Sequence, residues 1–402
     1  NVNQVHNGID LQNSYKGDGV VIGFVDTGIE IDHPDFKFAD GRSRIYRIWD
    51  QTASSQIPVP LYYYGQVWTN VQINQDQCPH QDPQAHGTTV AGIAVGNGLA
   101  AGENKGIAPE ADIIMVKYNG AGGAWSNRVT DGIDYIYRVA DSLGKRAVVN
   151  VSLGSYWGSH DGNDPATLRA VDLINAQPGR ILVTAAGNSG NFGKFHAGAS
   201  LQEEEKFSLL RVETNTNYGA NRIWFDGYSS LDSIDFDFSF VAMDPNSNFD
   251  LRGQTQYRPM SFLANEDPNV MFRDTIRNAQ GHRLATVEVG GVVEGPNLHY
   301  SVLLRFIDST QYHYGFMTNG TGRWDMWSGN AQGYNRFIEA IPSVEVFPQG
   351  ESYVHPDLSQ SIVSGWTCHP EIISVGNIRN RLSFMSQAGI LYTTNPATTP
   401  GD

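Results

Sequence analysis

The chain has 402 residues, with 27 Lys and Arg against 42 Asp and Glu, a formal net charge of −15; that deficit excludes a sequence-independent nucleic-acid binder, which needs a basic footprint. Hydrophobic residues make up 40% and charged residues 17%, a globular composition that excludes a disordered chain. The mean hydropathy of −0.34, with no apolar run long enough to span a bilayer, excludes a helical membrane protein.

In chain order, the opening stretch NVNQVHNGID carries no basic region followed by an apolar one, so a secretory leader is expected to be absent or already removed. Gly19–Asp26 (GVVIGFVD) is a continuous apolar run ending in a carboxylate, the pattern of a parallel strand buried on both faces. Ala111–Val116, Ala147–Val151 and Ile181–Ala186 read the same way. Between them, His86–Gly96, Asn127–Leu143 and Thr167–Ala176 read as helices; Val129, Ile133, Ile136 and Val139 recur at helical spacing. Strand–helix–strand alternation predicts an α/β domain with a parallel sheet flanked by helices.

From about residue 200 the texture changes to period-two alternation, in Ser233–Val241, Ala285–Val289, Tyr300–Ile307 and Arg336–Ala340. Phe236, Phe238 and Phe240 alternate there with Asp235, Asp237 and Ser239. Residues 200–350 are expected to form an inserted antiparallel β-sandwich, jelly-roll-like. Residues 1–199 then form the first part of the α/β domain and residues 351–402 its continuation, with Glu371–Val375 as a further core strand.

Three motifs carry chemistry. Asp26 ends the first strand, with Thr27–Gly28 and then Asp32–His33–Pro34; the carboxyl ends of parallel strands are where α/β folds place ligands. His86–Gly87–Thr88 opens a helix whose Ala91, Gly92 and Ala94 permit close packing. Ala185–Ala186–Gly187–Asn188–Ser189–Gly190 follows the strand at 181–184. Each alone has a plain structural reading: a turn cap, a helix-start histidine, a Gly/Asn turn.

Taken in order, these segments resemble the subtilisin-like serine peptidases (subtilases), over residues 14–199 and 362–389. Within that family the chain looks most like the clostridial germination-type subtilases, through the D-G-x-x-R-I-x-x-I-W-D-Q stretch at Asp40–Gln51 and the insertion. The resemblance implies that Asp26 is the triad carboxylate, His86 the general base and Asn188 the oxyanion donor. It implies that Gly120, Gly122, Gly123 and Ala124 form one edge that binds an extended peptide, and Ser152, Leu153 and Gly154 the other. Ala185, Ala186 and Gly187 would line the pocket before the scissile bond. Peptides or proteins are the implied substrates, and a secreted or cell-envelope location is expected.

The chain also departs from the family. The G-T-S-x-A-x-P motif of the nucleophile does not occur in residues 1–402. The Ser is expected from a segment beyond residue 402 or a C-terminal fragment completing the fold; the alternative is a pseudoprotease that binds peptides. Thr89 stands where many relatives have a second His. The long Ile45–Gln84 excursion, with Tyr62, Tyr63, Tyr64 and Trp68, either lines the cleft rim or packs its aromatics on itself.

No cofactor or catalytic metal is expected. A structural calcium, as several subtilases hold, would draw on Asp35, Asn97, Glu103 and Asn104, fewer donors than the six to eight oxygens the ion takes. The histidines near Cys78 and Cys368 lack zinc spacing. Those two cysteines either pair or stay as thiols. Trp224, Trp324 and Trp327 in the insertion serve either as a sandwich core or as platforms for a glycan.

Overall fold

The computed structural model describes residues 2–54, 59–121, 125–188, 193–212, 222–265, 267, 270–307, 310–328, 335–358, 363–376, 383–386 and 388–393. They fall into two units: Asn1–Gly154 with Ala166–Ala185 and His369–Val375, and Ser155–Pro165 with Ala186–Cys368 and Gly376–Asp402. These bounds differ from the expected divisions at 199/200 and 350/351. One strand, His196–Val212, runs unbroken through the expected division at 199/200.

The elements up to residue 185 are α1 (Val2–His6), β1 (Val20–Asp26), β2 (Ile45–Asp50), β3 (Gln66–Thr69), α2 (Asn70–Asn74), α3 (His86–Val95), β4 (Asp112–Lys117), α4 (Trp125–Ser142), β5 (Arg146–Val151), α5 (Pro165–Asn175) and β6 (Arg180–Ala185). Then come β7 (His196–Val212), β8 (Arg222–Ser230), β9 (Asp235–Asp244), β10 (Asp250–Gln254), β11 (Arg258–Pro259), α6 (Ser261–Asn265), β12 (Phe272–Arg277), β13 (Arg283–Glu294), β14 (Asn297–Phe306), β15 (His313–Ser328), β16 (Asn335–Phe337) and β17 (Ile373–Val375). A hairpin, Ser383–Met385 with Leu391–Thr393, follows.

The first unit holds a seven-stranded sheet in the order β17-β6-β5-β1-β4-β2-β3, parallel except for β3, which pairs antiparallel with β2. The apolar runs account for it: Val21, Phe24 and Val25 of β1 and Ile113 to Val116 of β4 have no solvent exposure. Helix α4 buries Val129, Ile133, Ile136 and Ala140, the one-stripe pattern of an amphipathic helix. It lies close to the sheet at Gly132, where a Cβ would come within 3.0 Å of Val25. Register places Asp26 and Asp50 both opposite Lys117, so the ends of β1, β4 and β2 carry three charged residues in one row.

The D-G-x-x-R-I-x-x-I-W-D-Q stretch gains a structural reason. Arg44 is buried, and its guanidinium donates to the carbonyls of Asp35 (3.0 Å), Val95 (2.7 Å) and Ala111 (3.0 Å). It therefore ties the loop after β1, the end of α3 and the start of β4 together. Arg44→Met is expected to cost about 3 kcal/mol, since buried carbonyls lose their donor at once. The check is a lower urea midpoint at unchanged slope.

The second unit is a ten-stranded antiparallel sheet in the order β11-β9-β10-β12-β13-β14-β8-β15-β7-β16. An additional β9–β15 pairing links the second strand of this order to the third from its other end, so the sheet is barrel-like, one continuous hydrogen-bonded sheet. Phe236, Phe238 and Phe240 enter its main core, as the alternation predicts. The opposite face of β9 is covered as well: Val241 and Met243 join a second cluster with Phe207, Phe249 and Phe347. Ser239 is accordingly buried, and its hydroxyl donates to the Thr255 carbonyl. Trp324 and Trp327 are core residues, and Trp224 stacks on Trp157 at 4.7 Å. Cys78 and Cys368 are both free thiols.

Candidate active site

Asp26 is the last residue of β1 and has no solvent exposure. His86, the first residue of α3, brings its Nδ1 to 2.6 Å from Asp26 Oδ1, across 60 positions of sequence. The Thr27 amide donates to the same oxygen at 2.7 Å. Asp26 Oδ2 is buried and has no hydrogen-bond partner among the described residues. Burial lifts the Asp26 carboxyl above its ordinary value, against the lowering effect of the His86 and Thr27 bonds. His86 keeps half of its side-chain surface open to solvent. An imidazole held at Nδ1 by a buried carboxylate presents its other nitrogen as a proton acceptor.

The packing of these two residues depends on glycine at position 87. A Cβ there would lie 2.2 Å from the Gly28 carbonyl oxygen and 3.1 Å from Asp26 Cβ. Gly28 itself has φ +136°, which favours glycine. Ala85, just before His86, sits at φ 56°, a left-handed conformation that costs a residue with a Cβ.

A buried ionic group that the motifs did not reveal lies on the same unit. His80 accepts from the Ile29 amide at 3.1 Å through Nε2, and its Nδ1 faces Asp50 Oδ2 at 3.4 Å. Lys117 lies 3.8 Å from Asp50 and donates to the Gln81 carbonyl at 3.0 Å. Burial works against the Asp50 charge, but His80, Thr52 and Lys117 hold its carboxyl down at about 2. These residues, with Gln66, Trp68 and Gln77, line a groove of about 630 Å³. Only a pairing of distant strand ends assembles this group, so local pattern reading passes over it.

The aromatics of the excursion mostly satisfy one another and α4. Trp49 packs on Tyr62, Tyr64 and Tyr135, Tyr62 donates to Asp134 at 2.9 Å, and Tyr64 donates to Asp131 at 2.9 Å. Trp68 lines the groove, and Tyr63 is exposed.

Asn188 belongs to the second unit, where it is exposed and its amide donates to the Tyr156 hydroxyl at 2.7 Å. A Cβ on Gly187, at φ +124°, would meet that hydroxyl at 2.1 Å, so Tyr156 requires glycine there. Tyr156 is the residue that sequence reading missed; no local signal marks it. Of the expected peptide-binding residues, Gly120, Ser152, Leu153 and Gly154 lie in irregular segments of the first unit, past the ends of β4 and β5, and Gly120 is exposed. Ala185 ends β6, and Ala186 and Gly187 follow it. Gly122, Gly123 and Ala124 lie outside the described residues.

The loop considered for calcium is tied by hydrogen bonds of its own. Asp35 Oδ1 accepts from the Ala100 amide at 2.8 Å, and Asn97 is engaged by its side-chain amide to the Lys37 carbonyl and by Oδ1 to the Leu99 amide.

Comparison with known proteins places these motifs in context. The profile of the subtilase family matches residues 17–225. The subtilisin of Bacillus sp. (strain TA39) is 26% identical over 249 residues, covering 59% of this chain and 52% of that protein. The minor extracellular protease Vpr of Bacillus subtilis (strain 168) is 29% identical over 221 residues, 54% of this chain and 23% of that protein. The chain thus spans about half the length of the first relative and about a quarter of the second. Among solved structures, the Clostridium perfringens CspB protease aligns over 99% of this chain and 83% of its own, with a TM-score of 0.63 and 20% identity, a likeness of fold. No described helix is long and apolar enough to cross a membrane.

Proposed function

The chain belongs to the subtilase family, and from that premise we propose that it acts as a serine endopeptidase. The observation that carries this reading is the 2.6 Å contact between His86 Nδ1 and the buried Asp26 carboxylate. In the proposed mechanism His86 takes the proton of a serine hydroxyl as it attacks the scissile carbonyl. It then returns that proton to the leaving amine, and water repeats the cycle on the acyl-enzyme. Asp26 keeps the proton on Nδ1 and opposes the charge of the imidazolium. The Asn188 carboxamide donates to the developing oxyanion, a contribution of about 2.7–4 kcal/mol as taken over from a subtilisin asparagine.

The substrate is an extended peptide whose backbone pairs with Gly120–Ala124 on one side and Ser152–Gly154 on the other. The residue before the scissile bond packs against Ala185, Ala186 and Gly187. The nucleophile comes from a segment beyond residue 402 or from a separate C-terminal fragment. The proposed location is extracellular or in the cell envelope, by analogy with the extracellular relative. The antiparallel unit is proposed as an insertion in the parallel-sheet domain, because β17 returns to the parallel sheet after it; its barrel-like closure replaces the expected two-sheet sandwich. A non-catalytic peptide binder is the second reading.

A fluorophosphonate serine probe and a casein-type substrate, applied to the protein from its natural source, separate the two. Labelling that maps to a serine in or bound to this polypeptide, together with hydrolysis, is the expected result. Peptide binding without label or turnover would establish the second reading.

A further inference from the structure

We propose that Asp82 is a positioning residue of the candidate site: its carboxylate caps α3 from outside the helix and binds the turn after Asp26 to the helix that begins with His86. The proposal deepens the peptidase reading and rests on it for the role of His86.

The first amides of an α-helix have no partner within the helix, and a Ser, Thr, Asp or Asn at the cap position usually accepts from them. Here the cap position is Ala85, which has no acceptor side chain and makes no capping bond. The amides are satisfied from elsewhere. Gly87 donates to Thr27 Oγ1 at 2.9 Å, and Thr88 donates to Asp82 Oδ2 at 2.9 Å.

Asp82 serves both sides of the junction. Its Oδ2 also accepts from the Thr88 hydroxyl at 2.7 Å, and its Oδ1 accepts from the Thr27 hydroxyl at 2.8 Å. Thr27 follows Asp26 directly, and Thr88 lies two residues after His86. One carboxylate therefore spans the two segments that must hold Asp26 and His86 at 2.6 Å.

The bond directions follow. Thr27 Oγ1 accepts from Gly87, so its own proton needs an acceptor, and Asp82 Oδ1 is that acceptor. A negative group at the start of a helix also meets the positive end of its dipole. Burial opposes the Asp82 charge, but the bonds from Thr88 and Thr27 hold its carboxyl below the ordinary value. The carboxylate is thus in its accepting form at neutral pH.

Asp82→Asn separates positioning from mere capping. Both Thr88 donors require an oxygen, so the asparagine amide must face Thr27. The Thr27 proton then loses its acceptor while the cap at Thr88 survives. The expected result is loss of the downfield Nδ1 proton signal of His86 in the labelled full chain, by exchange with water. Turnover is expected to fall about 100-fold at unchanged KM, the scale of a misplaced catalytic group.

Thr27→Val is expected to reproduce both losses, Thr27→Ser to restore both, and the double variant to be no worse than Thr27→Val alone. An Asp82→Asn protein with the parent's imidazole signal and turnover would overturn the proposal. Should Asp82→Asn fail to fold, the Thr27 pair decides: Thr27→Val with an unchanged His86 signal overturns it as well. The imidazole signal needs no peptide hydrolysis. A chain that cleaves nothing but loses the signal in Asp82→Asn would sink the peptidase reading and leave the positioning role standing.

Discussion

Asp26→Asn is expected to lower peptide turnover about 10⁴-fold, the scale seen when a triad carboxylate is replaced by its amide, while making the fold more stable at neutral pH. The first effect follows from charge: on the proposed mechanism, the imidazolium formed as His86 takes the proton is unopposed without the carboxylate, and the Nδ1 proton is held by a neutral oxygen in place of a charged one. The second follows from burial. Desolvation raises the Asp26 carboxyl above its ordinary value, more than the His86 and Thr27 bonds lower it. The folded chain therefore binds that proton more tightly than the unfolded chain does. Stability falls as pH rises from the unfolded carboxyl's value through the folded one, and the penalty is complete above the latter.

Asparagine carries no charge to desolvate. Both existing bonds use Oδ1, so its single oxygen can keep them. The gain in stability is expected to be largest at neutral pH and to vanish in acid, where aspartate is protonated in both states. Urea unfolding of the two proteins at neutral and acid pH, beside a turnover assay, checks it; a variant less stable at neutral pH would contradict the cause given for the shift.

Gly87→Ala is expected to abolish turnover and to destabilise the chain by about 3 kcal/mol or more, at or above the top of the range for overpacked cores. The added carbon would stand 2.2 Å from the Gly28 carbonyl oxygen and 3.0 Å from the Gly28 nitrogen. These are backbone atoms, so no rotamer change relieves the overlap, and α3 must move away from β1. That movement lengthens the 2.6 Å contact between His86 and Asp26. Gly92→Ala in the same helix is the control. Nothing lies within 4 Å of its Cβ position, so it is expected to add about 0.5–1 kcal/mol by helix preference alone. Thermal unfolding and the His86 imidazole signal read both variants; a Gly87→Ala protein with a normal melt and signal would refute the packing argument.

Much of the first unit was legible because its strands are buried on both faces and write continuous apolar runs. The run at 19–26 became β1 at Val20–Asp26, and the one at 181–186 became β6 at Arg180–Ala185. The helical spacing of Val129, Ile133 and Ile136 became α4, two residues longer at its start than expected. The pair β2–β3 was not anticipated, since Ile45–Asp50 mixes Arg and Tyr into a short run; its neighbours, not its pattern, make it a strand. The longest strands of the second unit, β7 and β15, were missed for a related reason. β7 carries the polar stretch Gln202–Lys206, which reads as a loop until its antiparallel pairing with β15 is known.

By itself, then, the order of residues determined the family, the parallel sheet and the identity of the aspartate and histidine, because motifs and apolar periodicity are local and survive without neighbours. Tertiary structure alone decided that Asp26 and His86 meet, that Asp82 replaces a missing helix cap, that Arg44 ties three carbonyls together, and that β9 closes onto β15. Each of these joins residues that no local sequence pattern links, through hydrogen bonds made only in the fold. Which distant backbone groups lack a partner becomes defined only when the chain has folded.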